Sequence, residues 1–178
     1  MQPPEPELRN ITSDDIPAVV RLMEKIGWFH PVEQTKQYIA WGGESSFCLA
    51  FDNEIVATAI ALKYSQRLAW VGLVISDPDY QRRGFARRLM DHVMTYLEGV
   101  DSVMLDASVL GYPLYDKMGF QPLYKINAYR GTPQIFPASQ SVRAMTAEDI
   151  DYIIKKNCNT FGLPRQQVIR WLFETGRG

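Results

Sequence analysis

The sequence has only two cysteines, Cys48 and Cys158, far apart and without the spacing of a metal site or a disulfide framework. This is the cysteine usage of a reducing, cytoplasmic compartment. Charge of one sign is not in excess: 19 Lys and Arg face 20 Asp and Glu, for a net charge of -1. A mainly electrostatic nucleic-acid binder is strongly basic, so nucleic acid is not expected as a partner. No apolar run approaches the roughly 18–20 residues a membrane helix needs, and the start, Met-Gln-Pro-Pro-Glu-Pro-Glu, has neither the positive charge nor the apolar stretch of a signal peptide. A membrane is therefore not expected as a partner either. What remains is 178 residues that are 46% hydrophobic and 22% charged, enough for one globular domain and part of another.

Periodicity orders that chain. Residues 7–11 suit a short strand. Thr12 or Ser13 caps a helix with Asp14 and Asp15 in its first turn, and Ile16, Val19, Val20, Met23 and Ile26 follow at helical spacing to Gly27. Trp28–Pro31 reads as a loop, and Val32 to about Trp41 as a second helix. Three strands follow, at Ser46–Phe51, Ile55–Tyr64 and Ala69–Ser76, the third apolar enough to lie centrally. A polar segment leads into a helix over Phe85–Glu98. A short strand at 103–107, a short helix at 112–118 and a last strand from Phe120 to about Tyr129 complete the series. The order predicts a mixed α/β domain whose sheet is covered on both faces.

The start of the chain recurs. Leu-Arg-Asn-Ile-Thr-Ser-Asp-Asp-Ile at 8–16 returns as Val-Arg-Ala-Met-Thr-Ala-Glu-Asp-Ile at 142–150, and each copy opens an amphipathic helix. Convergence on a common strand–cap–helix start is one explanation. A second copy of the same unit is the other, with 1–135 as the first domain, 136–178 as linker plus the start of the copy, and Val142–Met145 as its strand.

The chemistry is concentrated in two places. In the first, the apolar strand ending Val74-Ile75-Ser76 runs through a polar loop into a helix, with Gln81-Arg82-Arg83-Gly84-Phe85-Ala86-Arg87 at the junction. Helix N-termini carry unpaired N–H groups and the positive end of the dipole. Gly84 permits close approach of backbone to a ligand, and the arginines raise the local positive potential. Neither a P-loop nor a dinucleotide fingerprint is present. Alone, the segment reads either as a phosphate cradle or as a capped helix with a solvated basic face. In the second place, Leu114-Tyr115-Asp116-Lys117-Met118-Gly119-Phe120, a short helix stops at glycine and puts Tyr115 either at the open end of the sheet or in the core.

Together these two stretches resemble the GNAT N-acetyltransferase superfamily. Gln81, Gly84 and Ala86 match its phosphate-loop motif, and Leu114, Tyr115, Lys117, Gly119 and Phe120 match its C-terminal motif. The likeness spans about residues 7–130. Leu105-Asp106-Ala107 followed by Tyr112-Pro113-Leu114-Tyr115 is similar to members carrying two such domains in tandem. The resemblance implies a mostly antiparallel mixed sheet flanked by helices, with acetyl-CoA as cosubstrate. It implies that pyrophosphate rests on the backbone of Arg82–Arg87, that pantetheine pairs with the backbone at Val74, Ile75 and Ser76, and that Tyr115 protonates the departing thiolate. It further implies transfer to a primary amine of a small molecule or peptide by direct attack. A non-catalytic acyl-CoA-binding module is the alternative, and a phosphoanion-binding regulator a more distant one. A homodimer is left open.

This chain departs from the family pattern at Ser76, usually aliphatic, at Ser108 and Val109, where many relatives place asparagine, and in having one clear strand after Gly119 instead of two. A neutral amine must attack, and Asp106 and Glu44 are candidate bases, each with a plainer structural reading beside it. His92 reads as a surface residue. His30, with Trp28 and Phe29, either lines an acceptor pocket or anchors its loop.

Overall fold

In the computed structural model, residues 5–28, 30–127, 129, 131–132, 142–163 and 165–176 are described. The chain divides into two compact units, Met1–Phe120 and Gln121–Gly178.

The first unit is a five-stranded sheet in the order β1 (Glu7–Asn10), β2 (Ser46–Phe51), β3 (Glu54–Lys63), β4 (Ala69–Ser76), β5 (Val103–Leu105). Neighbours are antiparallel except β4 and β5, which run parallel. Helices α1 (Ile16–Lys25), α2 (Val32–Gly42), α3 (Phe85–Tyr96) and α4 (Tyr112–Lys117) complete it. Most bounds fall within two residues of those expected from periodicity.

Alternation along the strands divides the core in two. Phe47 and Leu49 of β2 join Val71 and the α3 residues Leu89, Met90 and Val93 on one face. Cys48 and Ala50 join Ile60 and the α1 residues Val19, Leu22 and Met23 on the other, together with Ile39 of α2. Each large side chain buried this fully contributes about 1.5–3 kcal/mol, so α3 is firmly seated by three of them. β4 lies inside the sheet, between β3 and β5, as its apolar run suggested, although the middle strand is β3.

The α1 entrance is built on Asp15. Its carboxylate accepts from the N–H of Thr12 at 2.8 Å and from its hydroxyl at 2.9 Å, and grips Arg9 through two bonds of 2.7 and 2.8 Å. The Arg9 guanidinium and these N–H and O–H donors hold the Asp15 carboxyl down at about 2.

The second unit contains α5 (Ile150–Phe161) and α6 (Gln166–Glu174). Its entrance repeats that of the first in detail. Asp149 accepts from the Thr146 N–H at 2.8 Å and hydroxyl at 3.1 Å, and takes two bonds of 2.7 Å from Arg143. Gly27 and Gly162, at φ +76° and +84°, follow the paired helices α1 and α5.

Two expected strands do not form. The described residues of 120–129 are not in a strand: Pro122 has no N–H to give, and Leu123, Tyr124 and Ile126 are exposed, so neither ladder hydrogen bonds nor a buried face is available. Residues 142–145 are likewise irregular, with Val142 exposed. The apolar residues there suit a strand, but pairing requires a neighbour that the local sequence does not supply. Residues 136–141, where the expected linker begins, lie outside the described residues.

Candidate functional site

The site begins where the sheet opens. β4 and β5 pair only from Ala69–Val103 to Val71–Leu105, so beyond Val71 the β5 side of β4 has no strand partner among the described residues. On its other side β4 stays paired to β3, through a register shift between Thr58 and Ile60 that accommodates one extra β4 residue. Leu73 sits in that bulge at φ +48°, and the Thr58 hydroxyl donates to its carbonyl at 2.7 Å. Backbone N–H and C=O groups of 72–76 are thereby turned to an open edge. Val74 packs into the α3-side core and Ile75 into the other, so both are available only as backbone. The Ser76 hydroxyl is buried and has no hydrogen-bond partner among the described residues.

Asp77 then fixes the turn out of the strand. It is 2% exposed, its carboxylate accepts from the Asp79 N–H at 3.0 Å, and Lys25 of α1 reaches it at 2.6 Å. The Asp-Pro-Asp sequence at 77–79 is a turn-capping signal, although its ion pair with α1 is not readable in sequence. A single 3-10 turn, Pro78–Tyr80, leads to Gln81. Arg82 (φ +62°) and Gly84 (φ +81°) are both left-handed and shape the loop.

Gly84 is the N-cap of α3 and offers no side chain to its N–H groups, so those of Phe85, Ala86 and Arg87 have no side-chain cap. A Cβ built on Gly84 meets nothing within 4 Å, so the space above the cradle is open. Beneath it the rings of Phe51, Tyr80 and Phe85 lie 5.5 to 6.4 Å apart and anchor the loop, so Phe85 serves the site through its N–H alone.

The arginines are unequal. Arg87 is paired with Asp91 at 2.8 Å, Arg88 donates to the Pro6 carbonyl at 3.1 Å, and Arg83 lies over the Tyr80 ring at 5.0 Å. Arg82 and Gln81 are exposed at the loop surface.

Tyr115 is 7% exposed, with its ring edge-on to Phe120 at 6.0 Å and against Gly111. Burial pushes its phenol up, so it is protonated at neutral pH. Its hydroxyl has no hydrogen-bond partner among the described residues.

A cavity of ≈ 250 Å³ lies on the α1–α2 side of the opened sheet, lined by Trp28, His30, Tyr38, Trp70, Leu73 and Asp106 among others. The structure thus brings His30 and Asp106 to one cavity. Phe29 lies outside the described residues. Glu44 is exposed and gives its carbonyl to Asn10 at 2.7 Å, away from the cavity lining, and exposed His92 stands edge-on to Phe47. Neither Tyr115 nor the 82–87 loop lines this cavity. Tyr38 and the Leu73 bulge were not legible in the sequence. Tyr38 reads as one more helix aromatic, yet a Cβ on Gly72 would come within 2.9 Å of its hydroxyl. Burial, with the nearby Tyr64 and Asp106 adding to it, pushes its phenol up to about 12. Among the described residues no cluster of His, Cys, Asp and Glu is arranged to hold a metal ion, and no helix is long and apolar enough to cross a membrane.

Residues 7–120 match the acetyltransferase (GNAT) family model, and the chain belongs to that family. It is 29% identical over 123 residues to an uncharacterized N-acetyltransferase, YitH, of Bacillus subtilis; the match takes in 69% of this chain and 43% of that protein. Among solved structures, one from Pyrococcus horikoshii superposes with a TM-score of 0.70 at 22% identity, over 96% of this chain and 62% of that one. One from Clostridium acetobutylicum, solved with acetyl-CoA, superposes with a TM-score of 0.56 at 18% identity, over 70% of this chain and 95% of that one. The chain spans less than half the length of the curated relative it matches.

Proposed function

We propose that this chain is an acetyl-CoA-dependent N-acetyltransferase acting on a primary amine of a small molecule or peptide. The observation that carries the reading is the uncapped α3 N-terminus directly below the unpaired edge of β4. The residues present fit acetyl-CoA on that evidence. Open space stands over Gly84, first-turn N–H groups lack an acceptor, and a backbone edge at Val74–Ser76 lacks a strand. The N–H groups of Arg82–Arg87 would hold its pyrophosphate, with Arg82 and Gln81 at the rim. When bound, acetyl-CoA supplies an activated acyl group as a thioester.

The chain's own residues would do the rest. Asp106, exposed to solvent, would accept a hydrogen bond from the incoming ammonium and relay its proton to water, leaving a neutral amine to attack. The backbone at the Leu73 bulge turns polar groups to the opened edge. Tyr115, kept protonated by its burial, supplies a proton to the leaving sulfur. Titration calorimetry with acetyl-CoA, followed by release of free coenzyme A thiol over a panel of amines, tests the reading; absence of both defeats it.

A second reading, a non-catalytic acyl-CoA-binding module, is favoured by the burial of Tyr115 outside the cavity lining. Acetyl-CoA binding without thiol release on any amine would select it. The free thiols Cys48 and Cys158 fit a cytoplasmic setting. We also propose that 136–178 is a linker and the start of a second GNAT-like unit. The repeated Arg–Thr–Asp geometry at Asp15 and Asp149 supports this.

A further inference from the structure

The walls of the α1–α2-side cavity carry a specific chemistry. Trp28, Tyr38 and Trp70 give it aromatic surface. Among the described residues Asp106 is the single carboxylate in its lining, and no Lys or Arg lines it. The Tyr38 hydroxyl lies against Gly72, next to the Leu73 bulge, with no hydrogen-bond partner among the described residues. At ≈ 250 Å³ the cavity is smaller than the roughly 300–1,000 Å³ typical of drug-sized ligands.

Each feature selects against a class of amine. A carboxylate on the amine-bearing carbon enters a lining that offers Asp106 and, among the described residues, no Lys or Arg, with His30 the one imidazole, so it is desolvated beside a like charge. A polyamine or amino sugar finds one carboxylate for several ammonium groups and leaves the others against indole and phenol. An ammonium on a flat apolar body meets every demand. Its charge is attracted by Asp106 and by the aromatic faces, its N–H groups reach acceptors on Asp106 and Tyr38, and its body covers apolar wall.

We infer that the cavity takes a small monoamine with a flat, apolar body and no carboxylate on the amine-bearing carbon, held between Asp106, Tyr38 and the indoles of Trp28 and Trp70. As an acceptor assignment it rests on the acetyl-transfer reading, whereas its test does not.

The full chain, without acetyl-CoA, is titrated calorimetrically with benzylamine, phenylglycine, benzyl alcohol and triglycine amide near neutral pH. Phenylglycine is benzylamine with the excluded carboxylate added, and benzyl alcohol lacks the charge. Benzylamine is expected to bind most tightly. Asp106→Asn, at an exposed position where folding is retained, should weaken benzylamine by up to about fivefold and leave benzyl alcohol unchanged. Tyr38→Phe should weaken benzylamine more than benzyl alcohol. The inference is overturned if phenylglycine or triglycine amide binds as tightly as benzylamine, if Asp106→Asn leaves the advantage of benzylamine intact, or if none of the four binds at millimolar concentration. Acetyl-CoA is titrated on the same preparation. Its binding, with benzylamine failing, removes this inference and leaves acetyl transfer standing. Its failure, with benzylamine binding, removes acetyl transfer and leaves the amine site.

Discussion

Gly84 separates folding from cofactor recognition in one position. Its φ of +81° places it in the left-handed region, where an L side chain costs roughly 1–2 kcal/mol. A Cβ added there meets nothing within 4 Å, so no clash adds to that strain. Gly84→Ala should therefore fold, with a melting temperature lower by about 2–8 °C for a chain of this size. The methyl group meets nothing within 4 Å, and its strain is present with and without ligand, so acetyl-CoA affinity should fall by less than about tenfold, or about 1.4 kcal/mol.

Gly84→Glu carries the same backbone strain, but its carboxylate falls beside the unpaired N–H groups of Phe85–Arg87. It caps the α3 terminus internally, which offsets part of the strain, and it occupies and repels the place of a phosphate. Its melting temperature should be no lower than that of the alanine variant, while acetyl-CoA affinity falls more than about tenfold beyond it. Differential scanning fluorimetry and titration calorimetry read the two quantities on the same samples. Equal acetyl-CoA affinity in Gly84→Glu and the unmodified chain would refute the assignment of the α3 terminus as the phosphate cradle.

Other substitutions address the remaining parts. Tyr115→Phe keeps the ring packing on Phe120 and Gly111, so acetyl-CoA affinity should be little changed while turnover falls about 10²–10⁴-fold on an accepted amine; unchanged turnover would leave Tyr115 a packing residue. Asp15→Asn should cost about 2 kcal/mol at neutral pH, as its carboxyl falls from 3.8 to about 2 on folding. Because the folded pKa is the depressed one, that contribution is complete above the unfolded value near 4 and is lost as pH falls toward 2. Urea titrations of both forms should therefore converge over that window, and a pH-independent gap would assign the effect to packing. Asp149→Asn should raise amide exchange in the first turns of α5 while leaving α1 unchanged, as its contacts to Arg143 and Thr146 lie within its own unit; equal exchange before and after substitution would remove the repeated cap.

What the sequence by itself determined is local. Thr12 with Asp15, and Thr146 with Asp149, announce helix entrances because capping involves residues three apart. Alternation in β2 and the apolar run of β4 carry their own periodicity, and Gly84 before Phe85-Ala86 marks the α3 terminus because a left-handed N-cap is written in one residue. The 8–16 and 142–150 correspondence was equally legible, since side-chain order specifies the Arg–Asp grip.

The tertiary structure decided whatever depends on a distant partner. The described residues of 120–129 and Val142–Met145 are strand-like in sequence and are in no strand, because a strand exists only where a neighbour accepts its hydrogen bonds. Where β5 stops pairing with β4, and that Leu73 bulges opposite Thr58, follow from register across three strands. So does the cavity, which gathers Trp28, Tyr38, Gly72 and Asp106 from α1's exit, α2, β4 and the end of β5. No window of sequence holds those residues together: their nearness is set by how both helices pack on the sheet, which is decided by the whole core at once.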